Sequence, residues 1–297
     1  MLSHWIAAAR LRTLPLSLSG IVLGTLIARA EVQIDAAIFS LALLTAVFFQ
    51  VLSNFANDLG DALSGADAQR KGEIRMVASG LISPLSMKKA IYVFAGLSAL
   101  SGVFLLHIAL RNLPVWIFGL FLVLAIISIW SAINYTYGSF SYGYRRLGEV
   151  FVIIFFGLVA VGGSYFLQTK FWNSLVLLPG FSVGLLASAV LNLNNMRDME
   201  TDLSNGKYTI ANYLGFTNSK WYHLMLLLIP IVLPIPFIES GGYSPYSYLY
   251  LLIVPALLGH ILKVFQIKSC EAYDPELKKV ALMTLLYVLL LGFGINL

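Results

Sequence analysis

Cysteine is almost missing: Cys270 is the sole thiol in 297 residues. One thiol excludes a disulfide framework and a cysteine-based metal centre. Charge is scarce as well. Asp, Glu, Lys and Arg make up 11% of the chain, against about 25% in a soluble globular domain. That shortage excludes a protein bathed in water on all sides. Histidine occurs four times and never in a cluster, so no soft-metal site is built from imidazole and thiol. Segments of about ten residues with alternating polarity are missing too, which excludes a transmembrane β-barrel.

What is present is apolar: 59% of the residues are hydrophobic. A spanning helix needs about 20 mostly apolar residues. Nine runs qualify, at roughly 14–28, 36–53, 90–110, 114–135, 150–168, 175–191, 221–237, 246–265 and 280–294. Lipid offers the backbone no hydrogen-bond partner, so these runs are expected to be helices. The expected class is an all-α polytopic membrane protein. The first run follows Arg10 and Arg12 without a clean small-residue cleavage pattern and is expected to be retained.

Charge then orients the bundle. With the N-terminus inside, 16 of the 19 Lys and Arg residues fall on inside segments, and only Arg29, Arg111 and Lys170 fall outside. The positive-inside rule favours this arrangement. It accounts for the net charge of +5 without nucleic acid. The acids cluster on the same side, with only Glu31, Asp35 and Glu239 outside. Acids contribute little to topology, so the clustering points to a charged chamber at the cytoplasmic helix ends.

Two polar stretches stand there. Asn54-Phe55-Ala56-Asn57-Asp58-Leu59-Gly60-Asp61 ends the second run, and Asn192-Leu193-Asn194-Asn195-Met196-Arg197-Asp198, continuing to Asp202, ends the sixth. Each carries an Asn four residues before an Asp, and the offset between them is 140 residues. That echo predicts one domain, 1–297, in two related halves, about 1–145 and 146–297. Side chains three and four apart share a helix face. Asn54, Asp58 and Asp61 are therefore expected to project together, as are Asn194 or Asn195, Asp198 and Asp202.

Carboxylates beside a membrane mark a functional site by default. Oxygen donors suit hard cations, and Mg2+ typically takes one or two carboxylates plus substrate phosphates. Two facing acidic sets could hold Mg2+ around a diphosphate. Arg75, Lys207, Arg197, Arg145 and Arg146 lie near them as cations for phosphate oxygens. Helix capping explains single acids such as Asp67, Glu73 or Glu200; it does not explain two recurrent pairs. Loop charge from the positive-inside bias explains Arg145 and Arg146 equally well.

Asn54-x-x-Asn57-Asp58-x-x-Asp61 and Asn195-x-Arg197-Asp198-x-x-x-Asp202 resemble the two aspartate motifs of the UbiA superfamily of intramembrane prenyltransferases. Nine spans resemble that family's architecture, with its two halves around a central cavity. Within the superfamily the chain most resembles the 1,4-dihydroxy-2-naphthoate polyprenyltransferases of menaquinone synthesis. Ala9-Arg10-Leu11-Arg12-Thr13-Leu14-Pro15, Gly65-Ala66-Asp67, Tyr135-Thr136 and Leu147-Gly148-Glu149 carry that narrower likeness. The resemblance implies Mg2+ held by Asp58, Asp61, Asp198 and Asp202, a polyprenyl diphosphate donor and an aromatic acceptor. It implies ionisation to an allylic cation that Tyr135 supports with its ring. Asn54, Asn57, Asn194 and Asn195 would bind substrate beside these cations, and Arg10, Arg12 and Glu149 would serve the acceptor. The implied location is a bacterial inner membrane with the site on the cytoplasmic side. Tyr208 and Tyr213 stand where relatives more often carry cations, which leaves Lys207 as the expected phosphate contact there.

Two other readings remain at this stage. One is a UbiA-type enzyme with another acceptor, such as 4-hydroxybenzoate, a chlorophyll or tocopherol precursor, or haem. The other is a transporter with two repeats, which the acids at one face rather than the midplane disfavour.

Overall fold

In the computed structural model the protein is described over residues 2–65, 74–138 and 140–297. Ala66, Asp67 and Glu73, singled out above, lie outside the described residues. Among the described residues nine helical spans are long and apolar enough to cross a membrane. In chain order the helices are α1 (Leu2–Ala9), α2 (Leu14–Arg29), α3 (Ala36–Ser64), α4 (Pro84–Leu110), α5 (Val115–Asn134) and α6 (Gly148–Val152). A π-helix, Ile153–Gly162, leads from α6 into α7 (Gly163–Thr169). Then come α8 (Leu177–Arg197), α9 (Met199–Ser204), α10 (Ile210–Val232), α11 (Ile235–Gly241), α12 (Val254–Gln266) and α13 (Asp274–Ile295).

Local chemistry sets the boundaries. Asp35 caps α3 by accepting the backbone N–H of Ala37 at 2.8 Å, and Ser83 caps α4 ahead of Pro84. Such caps satisfy the free N–H groups of a first turn. Thr209 and Asn212 form a reciprocal capping box on α10. Gly215, at φ 75°, then breaks that helix, a conformation without steric cost only for glycine. The second span-forming run, α3, does not stop at residue 53 as the apolar pattern suggests. It runs on to Ser64, so the whole first motif is helical.

The fifth span differs more. Its apolar sequence predicts a plain α-helix, but ten residues are π-helical. π-segments are rare and usually single turns. This one is gripped by glycine on two sides. A Cβ on Gly157 would sit 2.5 Å from Gly180 O, and one on Gly184 would sit 2.9 Å from Ile153 Cα. On α2, a Cβ on Gly20 would sit 2.6 Å from Phe156 O. Small residues let backbones approach closely in membranes, and here they bring α2 and α8 against the π-segment.

The largest apolar core joins α2, α8 and α10–α13 around Tyr165, Tyr250 and Tyr287. A second packs α1, α3 and α4 around Phe55, which meets Trp5 and Phe94 edge-on. A buried polar chain fastens α10, α12 and α13. His223 Nε2 lies 2.9 Å from His260 Nε2, His260 Nδ1 lies 2.8 Å from Glu276 Oε2, and Lys279 donates to Glu276 Oε1 at 2.6 Å. Lys220, one turn from His223, donates to the carbonyls of Phe265, in the last turn of α12, and of Ile267 just beyond it. By contrast α5 buries only Ser131. It packs against α3 and α4, its Phe121 stacks on Phe166 of α7, and a cavity lies between the rest of it and the α6–α7 segment.

Candidate active site

The first motif occupies the last turns of α3. Asp58 uses both carboxylate oxygens on the following loop: Oδ1 accepts the backbone N–H of Val77 at 3.0 Å and Oδ2 that of Met76 at 3.1 Å. The turn this holds carries Arg75, which is buried and donates to Asp61 Oδ2 at 3.3 Å. Asp61 Oδ1 accepts the Tyr144 hydroxyl at 3.0 Å. Asn57 accepts from Thr136 Oγ1 at 3.1 Å. Asn54 faces elsewhere. Its amide donates to Ala9 O at 2.8 Å and accepts from Gln50 at 3.4 Å, so it ties α3 to the N-terminal turn.

The second motif bends where the spacing alone predicts one continuous face. α8 ends at Arg197, and Asp198, at φ −96° and ψ 12°, joins it to α9. Backbone bonds from Asp198 N to Asn194 O and from Asp202 N to Asp198 O carry the helical register across the joint. Arg197 grips both oxygens of Asp198 at 2.8 Å, donates to Asp274 Oδ1 at 2.6 Å and reaches Asn194 Oδ1 at 2.7 Å. Its guanidinium is thereby engaged on three neighbours, which makes it a clamp between α8 and α13. Lys207 donates to Asp202 Oδ1 at 3.2 Å. Asp202 Oδ2 is buried and has no hydrogen-bond partner among the described residues. Burial raises the Asp202 carboxyl to about 6, against the pull of Lys207 and with help from Asp198 and Asp61. Asn195 donates to Glu149 Oε1 at 3.0 Å, and both are buried.

A strap, residues 141–147, pairs with the segment that follows the second motif. Tyr208 N donates to Tyr144 O, and Arg146 N donates to Tyr208 O at 3.0 Å. Arg145 lies exposed over Phe140, and Arg146 lies exposed over the Tyr213 ring at 4.7 Å. Tyr213, which the sequence resemblance marks as standing in place of an expected cation, thus has a guanidinium over its ring. Arg12 is exposed on a short 3-10 turn.

A cavity of about 380 Å3 lies between α5 and the α6–α7 segment. Its walls are chiefly apolar, with Phe151, Phe155 and Phe156 on one side, and Asn57 and Tyr135 at the motif end. Burial first, then Glu149, Tyr142, Asp61 and Asp202, raise the Tyr135 hydroxyl well above the usual phenol value.

The sequence matches the pattern of the UbiA prenyltransferase family over residues 17–293. The chain belongs to the UbiA prenyltransferase family. A relative from Haemophilus influenzae named 1,4-dihydroxy-2-naphthoate octaprenyltransferase is 39% identical, covering 99% of this chain and 96% of its own. One of the same name from Escherichia coli is 38% identical over 98% of this chain and 94% of its own. Among solved structures, a UbiA homolog from Aeropyrum pernix K1 superposes with a TM-score of 0.69 at 17% identity, over 97% of this chain and 98% of that one. A UbiA homolog from Archaeoglobus fulgidus bound to GPP and Mg2+ gives 0.69 at 12% identity, over 99% and 100%. These likenesses establish the fold of this UbiA-family member.

The donor set fits a hard divalent cation. Among the described residues no three His, Cys, Asp or Glu side chains form a group that would hold a metal ion unaided. The oxygens are instead carboxylates in two motifs, one of them an orphaned, buried Oδ2. That suits Mg2+, which is commonly shared between one or two carboxylates and substrate phosphates. The residues that the motif spacing did not reveal are Tyr144, Ser64 and Thr136. All three act across the fold, with Tyr144 and Ser64 80 positions apart in sequence.

Proposed function

We propose that the protein transfers a polyprenyl chain from polyprenyl diphosphate to 1,4-dihydroxy-2-naphthoate, as its relatives' names describe. The observation that carries this is the cavity: its walls are chiefly apolar, and Asn57 of the first motif and Tyr135 stand at its motif end. A prenyl tail and a diphosphate head need such a junction.

Asp61 and Asp202 are the carboxylates offered to Mg2+. Asp58 and Asp198 hold the loop and the joint around them. Bound Mg2+ supplies positive charge to the diphosphate oxygens and so favours their departure. Arg75 and Lys207, now on Asp61 and Asp202, are placed to take phosphate oxygens when the carboxylates turn to metal. The allylic C–O bond breaks, and its electron pair leaves with diphosphate. The Tyr135 ring faces the cavity at the motif end and stabilises the allylic cation through its π-face. An electron-rich ring carbon of the naphthoate forms the new C–C bond. The proton on that carbon leaves, CO2 departs from the neighbouring ring carbon, and a proton takes its place there, giving the demethylmenaquinone skeleton in its quinol form. Glu149, buried beside Asn195, serves the acceptor end of the cavity. The recurrence of a carboxylate–cation pair in each motif supports two related halves. The charge bias of the sequence supports a cytoplasmic position for this end.

The test is an acceptor panel on purified protein with one polyprenyl diphosphate. Mg2+-dependent release of diphosphate and CO2 with 1,4-dihydroxy-2-naphthoate is expected, and none with 4-hydroxybenzoate. Transfer to 4-hydroxybenzoate instead would reassign the acceptor, and no transfer to any aromatic would end the proposal.

A further inference from the structure

Tyr144 stands between the two motifs and belongs to neither. Its hydroxyl donates to Asp61 Oδ1 at 3.0 Å and lies 2.6 Å from Ser64 Oγ. Its ring faces the other half, with Lys207 Nζ 5.9 Å from the ring centre. Its carbonyl accepts the N–H of Tyr208, directly after Lys207. One side chain thus touches the carboxylate of the first motif and the cation that pairs with Asp202 in the second.

Tyr142, two residues earlier, shows what a purely architectural tyrosine looks like here. It is buried, stacks on Phe151 at 3.9 Å between ring centres and spends its hydroxyl on the backbone carbonyl of Ser131. Tyr144 is half-buried and spends its hydroxyl on a carboxylate. Groups that hydrogen-bond a metal-binding carboxylate fix its orientation and tune its affinity. An ammonium within about 6 Å of a ring is held by the ring's negative face.

The geometry points to Tyr144 as a positioning residue that keeps the two motifs in register for one metal–diphosphate: its hydroxyl orients Asp61, and its ring seats Lys207. The inference rests on the prenyl transfer proposed above. It separates two contributions. The hydroxyl serves metal binding on the first motif, and the ring serves diphosphate binding through the second.

The test uses the full-length protein in detergent, Mn2+ as a paramagnetic probe and a non-reacting prenyl bisphosphonate as donor analogue. Mn2+ binding is read by electron paramagnetic resonance and analogue binding by calorimetry. Tyr144→Phe is expected to weaken Mn2+ roughly tenfold or more, with analogue affinity at saturating Mn2+ nearly unchanged. Tyr144→Leu is expected to weaken both. Unchanged Mn2+ affinity in Tyr144→Phe overturns the inference, as does equal loss of both affinities in the two variants. Should Tyr144→Phe melt early, Ser64→Ala removes the hydroxyl's second partner at the exposed rim, together with one bond to the Asp61 backbone carbonyl at 3.1 Å. Mn2+ affinity then falls severalfold, or the inference is overturned. Wild-type protein that binds no Mn2+ with the analogue present refutes the functional proposal itself, and the inference with it.

Discussion

The carboxylate of Asp58 holds the backbone of Val77: Oδ1 accepts its N–H at 3.0 Å, while Oδ2 takes the neighbouring N–H of Met76. An acid drawn from the sequence as a metal ligand is thus also the anchor of the turn that carries Arg75. Asp58→Asn replaces one acceptor oxygen with a donor facing a donor. Hydrogen bonds to a charged acceptor are worth about 1.5–3 kcal/mol each. Asp58→Asn is therefore expected to lower stability by about 2 kcal/mol or more and to abolish turnover. Asp202→Asn, which removes no backbone anchor but leaves the buried Lys207 without this carboxylate, should abolish turnover while the turn carrying Arg75 stays folded. Hydrogen exchange at the Met76 and Val77 amides beside turnover assays separates the two, and equal protection there in both variants would refute the anchor role.

The Asp202 carboxyl, raised by burial to about 6, gives a pH dependence of defined sign. Below that value it carries a proton, which a metal must displace. Mn2+ affinity should therefore rise between pH 5 and 7, and Asp202→Asn should flatten the profile. Metal-free stability runs the other way. The folded value lies above the ordinary 3.8, so this group's contribution is complete below about pH 4 and is lost as pH rises through about 6. Titrating both quantities on one preparation checks the pair of signs.

The His223–His260 contact predicts non-additive substitutions. His260→Leu leaves Glu276 Oε2 and His223 Nε2 without their imidazole partner in a buried setting. Leaving a buried polar group unpaired costs about 1–3 kcal/mol. Adding His223→Leu removes one of these orphans, so the double variant should be more stable than the sum of the singles by about 1 kcal/mol. A double-mutant cycle from thermal melting measures the difference.

Gly102 predicts a change in donor preference. It lines the cavity, and a Cβ there would meet only Thr45 Cγ2, at 3.9 Å. Thr45 lies nine residues before Asn54 on α3, about 14 Å along the helix axis. A side chain at position 102 starts without a backbone clash, so Gly102→Leu is expected to extend into the cavity away from the motifs. Competition between short and long prenyl diphosphates should then shift towards the short donor, at nearly unchanged turnover with that donor.

The spans were legible because lipid permits so few alternatives: an apolar run of sufficient length has to be a helix. Their ends were less so. Hydropathy falls after Ser53, yet α3 continues to Ser64, because its polar last turns find partners in Arg75, Tyr144 and the loop backbone. The π-helix was not legible at all. Ile153–Gly162 is uniformly apolar, and its shape answers to Gly20, Gly157 and Gly184 brought together by the fold. The acids of the site were visible as residue types, since carboxylates are costly beside a membrane. Their partners were not. Asn54 bonding Ala9, Arg197 clamping Asp274 and Tyr144 reaching Asp61 are contacts 45, 77 and 83 residues apart, and no local pattern encodes them.

The pairing of Arg75 with Asp61 and of Lys207 with Asp202 also bears on speed. Four charges shed much of their water when the chain folds, each against a partner of opposite sign. Stripping water from a lone buried charge costs several kcal/mol. An incoming diphosphate therefore meets cations that are already largely dry and needs only a change of partners. Because enclosed pairs are poorly screened by salt, that exchange should proceed at nearly the same rate in dilute and concentrated electrolyte.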